Sequence, residues 1–165
     1  MEQLEIIRRT IEQHHKIRSN LQAVGEAAND FEAVFSLQQS GTQWGQSSVQ
    51  DVARNIENLK GTILQTDTGL LRHFGFEEKY LPDVFGTNLM KALLLEHNEI
   101  RDKLLKCTAS FIDNVSNLSR DELLSYRTSV QQIIDDLTGY IEGHASREEI
   151  ILNMIEKALR KEQNA

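Results

Sequence analysis

Histidine and glutamate recur in this chain at a spacing that places both side chains on one face of a helix. In the segment HFGFEEKYL, His73 precedes Glu77 by four positions, and in HASREEIIL, His144 precedes Glu148 by the same interval. Residues at i and i+4 are neighbours on a helix surface. Because imidazole nitrogen and carboxylate oxygen both bind metal ions, the repeated pair predicts two helices that present ligands to a common site.

Apolar residues around these pairs predict that the pairs point into a core. One largely apolar stripe steps by three and four residues and continues in register onto His73 and Glu77; it comprises Val49, Val52, Ile56, Leu59, Ile63, Thr66 and Leu70. A second stripe runs in the same way onto His144 and Glu148; it comprises Leu123, Val130, Ile134, Leu137 and Ile141. His14 and His97 also lie at helical spacing from apolar residues of their own segments. Four predicted helices therefore each direct one histidine inward.

The two halves of the chain also match each other. HHKIRSNL, which begins at His14, aligns with HNEIRDKL, which begins at His97, and isoleucine, arginine and leucine coincide in the two segments. This alignment selects His14 as the inward residue, and the apolar periodicity selects it independently. His15 is therefore predicted to face solvent. Each half combines a helix that carries one histidine with a helix that carries histidine and glutamate at i and i+4.

Burying four imidazoles and two carboxylates is costly unless a strong partner compensates them. A pair of divalent or trivalent cations would supply that compensation, whereas the alternative is a network of polar side chains in the core. Nitrogen and oxygen ligands without thiolate favour iron or manganese, with zinc possible. The predicted metal ligands are His14, His73, Glu77, His97, His144 and Glu148.

Chain breaks divide the sequence into four helices. A loop without periodicity, QQSGTQWGQSS, follows the first helix, and Ser48 with Asp51 is a possible capping box for the second. Pro82 and Gly86 separate the second helix from the third, and Ser119 with Glu122 forms a further capping box. The predicted helices are 2–38, 48–81, 87–113 and 120–161. Short links favour antiparallel neighbours, so residues 1–165 are predicted to form a single all-α domain, an antiparallel up-down-up-down four-helix bundle.

The order and spacing of all four histidine segments resemble the hemerythrin-like, or HHE cation-binding, domain family over nearly the whole chain. This resemblance implies a four-helix bundle around two non-heme iron ions, which are bridged by two glutamates and an oxo or hydroxo oxygen. It implies terminal ligation by the histidines and bridging by Glu77 and Glu148. Ferritin-like di-iron bundles carry Glu-x-x-His at i and i+3 instead, and no glutamate precedes these histidines by three.

One position departs from the oxygen-carrying members of that family. Those carriers have a further histidine four residues after the third-helix histidine, and this chain has Arg101 there. Without a fifth imidazole, both metals could keep an open position, which favours a site that reacts or senses. Arg101 is expected to place its head in water, with a polar contact to a glutamate near the site as the alternative. Glu78 and Glu149, which directly follow Glu77 and Glu148, are expected to be solvated, with the orientation of a ligating histidine as the alternative.

Charge and cysteine content limit the class of protein further. The net charge is −7, with 25 acidic and 18 basic residues, so nucleic acid and anionic membranes are not expected partners. The charged opening segment, MEQLEIIRRTIEQ, lacks the apolar run of a secretory signal, and no segment has the ~20 apolar residues of a membrane span. Cys107 is the single cysteine, which fits a reducing compartment. A cytoplasmic monomer or homodimer is expected.

Three classes of function follow from the resemblance and from the site. The first is a protein that binds or senses dioxygen, nitric oxide or iron status. The second is an enzyme of iron-sulfur cluster repair, or of peroxide and nitrosative stress defence; the repair branch usually carries an additional cysteine-bearing N-terminal domain, so this class ranks second. The third is a metal-free bundle used for interaction. Binding or sensing of a small diatomic gas is the function expected here, and whether the protein is also an enzyme is left open.

Overall fold

The computed structural model describes residues 1–39 and 44–163, and this part of the chain contains four helices and no strand. The helices are α1 (Gln3–Gln39), α2 (Gln46–Tyr80), α3 (Pro82–Ala109) and α4 (Arg120–Gln163). The main contacts join α1 to α2 and α4, and α3 to α2 and α4. Each helix therefore packs against two neighbours, which confirms the predicted all-α four-helix bundle and is compatible with an up-down-up-down order.

The span of α3 agrees in part with the prediction. A short turn that begins at Pro82 precedes the non-helical Gly86, and the long helix follows Gly86, as predicted from residue 87; it ends at Ala109 rather than at 113. Proline is well tolerated in the first turn of a helix because its missing N–H has no intrahelical partner there. Gly86 lies inside α3 as a kink with φ of 70°, a left-handed conformation that glycine adopts without steric cost.

Helix capping agrees with the prediction at α4 and differs at α2. At α4, the Ser119 N–H donates to Glu122 Oε2 (2.7 Å) and the Glu122 N–H donates to Ser119 Oγ (3.3 Å), which confirms the predicted capping box. At α2, the cap residue is Gly45, and its N–H donates to Ser48 Oγ (3.3 Å). The prediction that Ser48 caps α2 was wrong because the helix begins two residues earlier, at Gln46.

The apolar core has two parts, with a layer of polar side chains between them. The larger part includes Ile17, Leu70, Ile100 and Ile141, one from each helix. The smaller part lies toward the other end of the bundle and comprises Ile6, Ile7, Leu81, Met90, Leu93 and Leu152. All six predicted ligands fall in sequence between members of these two parts, and all are buried. Apolar packing on both sides therefore holds the polar layer in place.

Aromatic residues close the end of the larger core. Phe31 and Phe35 of α1 are buried and in edge-to-face contact, and Trp44 stacks on Phe35 at a centroid distance of 5.9 Å. The end of α1 and the aromatic ring that follows it therefore cover one end of the larger core. Within residues 1–39 and 44–163, no helix is both long enough and apolar enough to cross a lipid bilayer.

Candidate metal centre

Six buried side chains converge in the polar layer, and we call them the inner cluster. Each is at most 2% exposed, and every helix contributes at least one; they are His14, His73, Glu77, His97, His144 and Glu148. Their ligand atoms form two groups, and within each group these atoms lie within 4.8 Å of one another. The first group contains His14, His73, Glu77 and Glu148, and the second contains Glu77, His97 and His144. Glu77 belongs to both.

Glu77 divides its two oxygens between the two groups. Its Oε1 lies 2.8 Å from His73 Nε2 and 3.5 Å from His14 Nε2, whereas its Oε2 lies 3.0 Å from His97 Nε2. Adjacent ligands that are each about 2.1 Å from an octahedral ion lie about 3.0 Å apart. The separations around Glu77 therefore suit ligands of a common ion on either side of one carboxylate.

Glu148 also lies between the two halves. Its Oε2 is 3.4 Å from His14 Nε2 and 3.5 Å from His144 Nε2. His14 pairs with the α2 histidine across a centroid distance of 4.7 Å, and His144 pairs with the α3 histidine across 5.1 Å. Thus one histidine pair comes from α1 and α2, the other comes from α3 and α4, and both carboxylates lie between the pairs.

The inward atoms of the inner cluster have no hydrogen-bond partner. The unpaired atoms are the Nε2 atoms of all four histidines and both oxygens of Glu77 and Glu148. Buried polar atoms are nearly always hydrogen-bonded, because leaving one unpaired costs ~1–3 kcal/mol. A cation could serve as a common partner for these eight atoms, because it accepts lone pairs of nitrogen and oxygen alike.

The outward nitrogens of the same histidines are all satisfied. Each Nδ1 donates to a side-chain oxygen of another helix. We call the four residues that accept these bonds, Gln13, Glu78, Glu96 and Glu149, the outer acceptors. The bonds run from His14 to Glu149 (3.1 Å), from His73 to Gln13 (3.0 Å), from His97 to Glu78 (2.9 Å) and from His144 to Glu96 (2.8 Å). A proton held on Nδ1 leaves the lone pair on Nε2, which is the form of imidazole that binds metal.

Arginines neutralise three of the outer acceptors. Arg18 Nη1 donates to Glu149 (2.5 Å), Arg101 Nη2 donates to Glu78 (2.6 Å), and Arg147 Nη2 donates to Glu96 (2.9 Å). Burial raises the pKa of each glutamate, but hydrogen bonds from histidine and arginine outweigh it and hold the pKa below the ordinary value. These carboxylates therefore stay ionised and accept the histidine protons.

These contacts correct the expectations for residues beside the site. Glu78 and Glu149 were expected to be solvated, but the alternative is confirmed, because each accepts a hydrogen bond from a histidine of the inner cluster. Arg101 was expected to place its head in water, but the alternative is confirmed: its guanidinium donates to Glu78 and lies 5.2 Å from the centre of the Phe74 ring. His15 is exposed, as predicted.

Without a cation, the two buried carboxylates compete for positive charge. Burial and the neighbouring charge of Glu77 raise the pKa of Glu148 to about 8. Burial also acts to raise the pKa of Glu77, but contacts with histidines lower it well below its ordinary value. Two carboxylates this close cannot both ionise in a low-dielectric core unless a positive charge is present.

The pKa values of the histidines also shift in opposite directions. Burial lowers the pKa of His144 to about 4, and it also lowers the pKa of His73, so both imidazoles are neutral near neutral pH. Burial alone would lower the pKa of His14 too, but Glu148 and Glu77 outweigh it and raise the value to about 9. In the metal-free protein a proton therefore takes up some of the positive charge that the carboxylates demand.

Sequence reasoning missed Gln13, Glu96 and Arg147. Gln13 and Glu96 immediately precede the two histidines that align the halves of the chain, so extending that alignment by one residue would have paired them. It also missed Phe74, whose ring stacks on the His97 ring at a centroid distance of 3.9 Å. This contact restricts the rotation of His97.

No protein-family model matches the chain, and no curated protein matches its sequence at a significant level. The class of protein is therefore defined by fold and site alone. The chain is a four-helix bundle with a buried cluster of histidine and glutamate side chains that could hold a metal ion.

Proposed function

We propose that this chain is a hemerythrin-like protein whose inner cluster holds two non-heme iron ions and binds or senses dioxygen or nitric oxide. The observation that carries the proposal is the set of eight buried, unpaired ligand atoms. All point inward, while the Nδ1 atoms of the same histidines are satisfied from outside. A polar network in the core would pair these atoms with one another, whereas a metal centre leaves them free for the ions.

Two ions fit the arrangement better than one. Glu77 belongs to both ligand groups, and its two oxygens contact histidines of different halves. A carboxylate that bridges two ions has each oxygen directed at a different ion. A single ion beside either histidine pair would leave the other pair buried and unpaired.

The ligand set favours iron, with manganese or zinc as the alternative metals. It combines imidazole nitrogen with carboxylate oxygen, and Cys107, the one thiol of the chain, lies outside it. Soft thiolate sites select zinc or copper more strongly, whereas mixed imidazole and carboxylate sites are common for non-heme iron. Iron supplies reversible redox change and affinity for small diatomic molecules.

The side chains of the protein supply positioning and exclusion of water. The outer acceptors orient the four imidazoles, and such partners commonly contribute 10–100-fold in metal affinity. Apolar side chains on both sides of the layer keep bulk water away. Arg101 lies at the position where the oxygen-carrying members of the family have a fifth histidine, and its guanidinium donates to Glu78. Arg101 is therefore not a metal ligand, and each of the two proposed ions has only one pair of histidines. This leaves room at the ions for a small ligand.

Metal analysis after anaerobic purification tests the proposal directly. We expect about two ions per chain, mainly iron, since a carboxylate-bridged pair of histidine sites binds two ions. Glu77→Gln should reduce binding of both ions because Glu77 is shared, whereas the exposed control Glu57→Gln should retain both. An optical titration of the loaded protein with nitric oxide and with dioxygen then tests gas binding.

Three results would count against the proposal. A content of one ion or none in the unmodified protein contradicts the dinuclear site. Two zinc ions that iron cannot replace contradict the choice of metal. A spectrum unchanged by both gases, with iron content intact, contradicts the sensing function and leaves only the metal site.

A further inference from the structure

Each histidine of the inner cluster, together with its outer acceptor, forms one corner of the cluster. The corner at His73 differs from the other three. At the other corners a histidine donates to a carboxylate, and that carboxylate is bound by an arginine. At this corner His73 donates to Gln13, which is neutral. Lys16 and Arg72 lie nearby, and neither has an ion-pair partner within the described part of the chain. The His73 corner therefore has cationic side chains, as the other corners do, but it lacks the carboxylate that accepts the histidine proton there.

A cavity occupies this corner. It lies between α1 and α2, has a volume of about 490 Å³ and is partly open to solvent. This volume is within the ~300–1,000 Å³ range of small-molecule sites. Its lining includes both unpaired cations, the polar side chains Ser19 and Asn20, and Gln13 and His73 at the edge of the inner cluster.

Gln13 connects the cavity to the inner cluster. Its Oε1 accepts the His73 Nδ1 proton, so its amide group keeps two N–H donors, and no protein acceptor for them exists in the described residues. The two amide N–H groups of Gln13, the ammonium of Lys16 and the guanidinium of Arg72 are therefore hydrogen-bond donors that have no acceptor within the described residues. Such a set is complementary to carboxylate or phosphate oxygens.

We propose that the cavity between α1 and α2 binds a small anion of the carboxylate or phosphate type. The anion supplies at the His73 corner the negative charge that Glu78, Glu96 and Glu149 supply at the other three. It accepts hydrogen bonds from Gln13, Lys16 and Arg72. Its effect on the metal rests on the proposed function: the anion strengthens the hold of Gln13 on His73 and makes that imidazole a better ligand.

Titration calorimetry of the metal-loaded protein with succinate and with inorganic phosphate tests the binding, and neutral succinamide serves as the ligand control. We expect at least one of the two anions to bind with a stoichiometry of one per chain, and succinamide not to bind. Lys16→Gln and Arg72→Gln should each weaken binding about fivefold, because one exposed charge contact contributes ~1 kcal/mol. Lys91→Gln, an exposed lysine on α3, should leave the affinity unchanged.

A variant that fills the cavity without changing its charge tests whether the anion binds inside the cavity. Gly69 lines the cavity, and an added Cβ there would lie 3.1 Å from Asn20 Nδ2. Gly69→Leu should therefore fill the cavity and abolish anion binding, while the better helix propensity of leucine maintains the fold. An ordinary melting curve together with intact anion affinity in this variant would overturn the proposal.

The outcomes distinguish this proposal from the proposed function. If neither anion binds, or if Lys91→Gln weakens binding as much as Arg72→Gln does, the cavity is not an anion site, whatever the metal content. If an anion binds and the variants Lys16→Gln, Arg72→Gln and Gly69→Leu weaken its binding as expected, but the protein takes up no metal, the anion site is supported and the proposed metal site is wrong. If both stand, the bound anion should slow the release of metal to a chelator, and Gln13→Glu should remove that dependence.

Discussion

Replacing Glu148 by glutamine should stabilise the metal-free protein and destabilise the metal-loaded one. Glu148 is 2% exposed, and burial together with Glu77 raises the pKa of its carboxyl from 4.5 to about 8. At about pH 7 the unfolded chain is ionised at this group, whereas the folded metal-free chain must hold a proton there. This difference costs about 3 kcal/mol of folding free energy. Glutamine has almost the same shape and does not carry this cost.

The sign of the pH dependence follows from the direction of that shift. A carboxyl with a raised pKa binds protons more strongly in the folded state, so its cost is absent below about pH 4.5 and grows as the pH rises toward 8. His14 offsets part of the gain: burial lowers its pKa, and Glu148 is one of the two carboxylates that raise it to about 9. We therefore expect a net gain of about 2 kcal/mol at about pH 7, which is about 4–8 °C in Tm.

Thermal unfolding with and without metal measures this prediction. In the metal-free protein the gain should be present at about pH 7 and absent at about pH 4. With iron or zinc added, the parent should gain much more stability than Glu148→Gln, because ions that bind only the folded state stabilise it in proportion to their affinity. Glu57→Gln, an exposed substitution on α2, controls for the change in net charge. If metal-free Glu148→Gln melts below the parent at about pH 7, Glu148 is satisfied within the protein and does not need a cation.

Three further predictions concern other parts of the structure. Glu78→Ala removes the acceptor that orients His97 and should lower metal affinity about 10–100-fold in a competition with a chelator, and equal affinity would mean that this hydrogen bond is not needed. Gly86→Ala should lower the free energy of unfolding in urea by about 1 kcal/mol, because φ of 70° disfavours a side chain, whereas Gly25→Ala in α1 should not. Burial raises the pKa of Cys107 to about 11, so a thiol reagent at about pH 7 should label it only as fast as the chain unfolds; rapid labelling of the folded protein would contradict its burial.

The helices and the inward direction of the inner cluster follow from local sequence. Apolar residues at intervals of three and four define a helix face, and a histidine or glutamate in the same register must share that face. Each of the six residues could therefore be assigned from its own segment, without knowledge of the other helices. The capping box of Ser119 and Glu122 is local in the same sense, because its two hydrogen bonds span three residues.

The start of α3 shows two local signals that act together. Pro82 and Gly86 each mark a break in a helix, and the sequence places both of them between the second and third helices. In the folded protein, Leu81 is buried in the smaller core and joins the end of α2 to a short turn that begins at Pro82. Gly86 has a non-helical backbone and separates this turn from the long helix that the sequence predicted from residue 87. Only the short turn before Gly86 was missed by local reasoning.

The tertiary structure alone decided which residues surround the inner cluster. Glu149 meets His14 across 135 positions in sequence, and Glu96 meets His144 across 48. Such pairings depend on the rotation of each helix about its own axis and on how closely it approaches its neighbour. Periodicity fixes the buried face of a helix, but it does not say which partner lies against the edge of that face. The sequence by itself thus determined which six side chains face inward in the candidate site, whereas packing determined their hydrogen-bond partners and left a cavity beside Gln13.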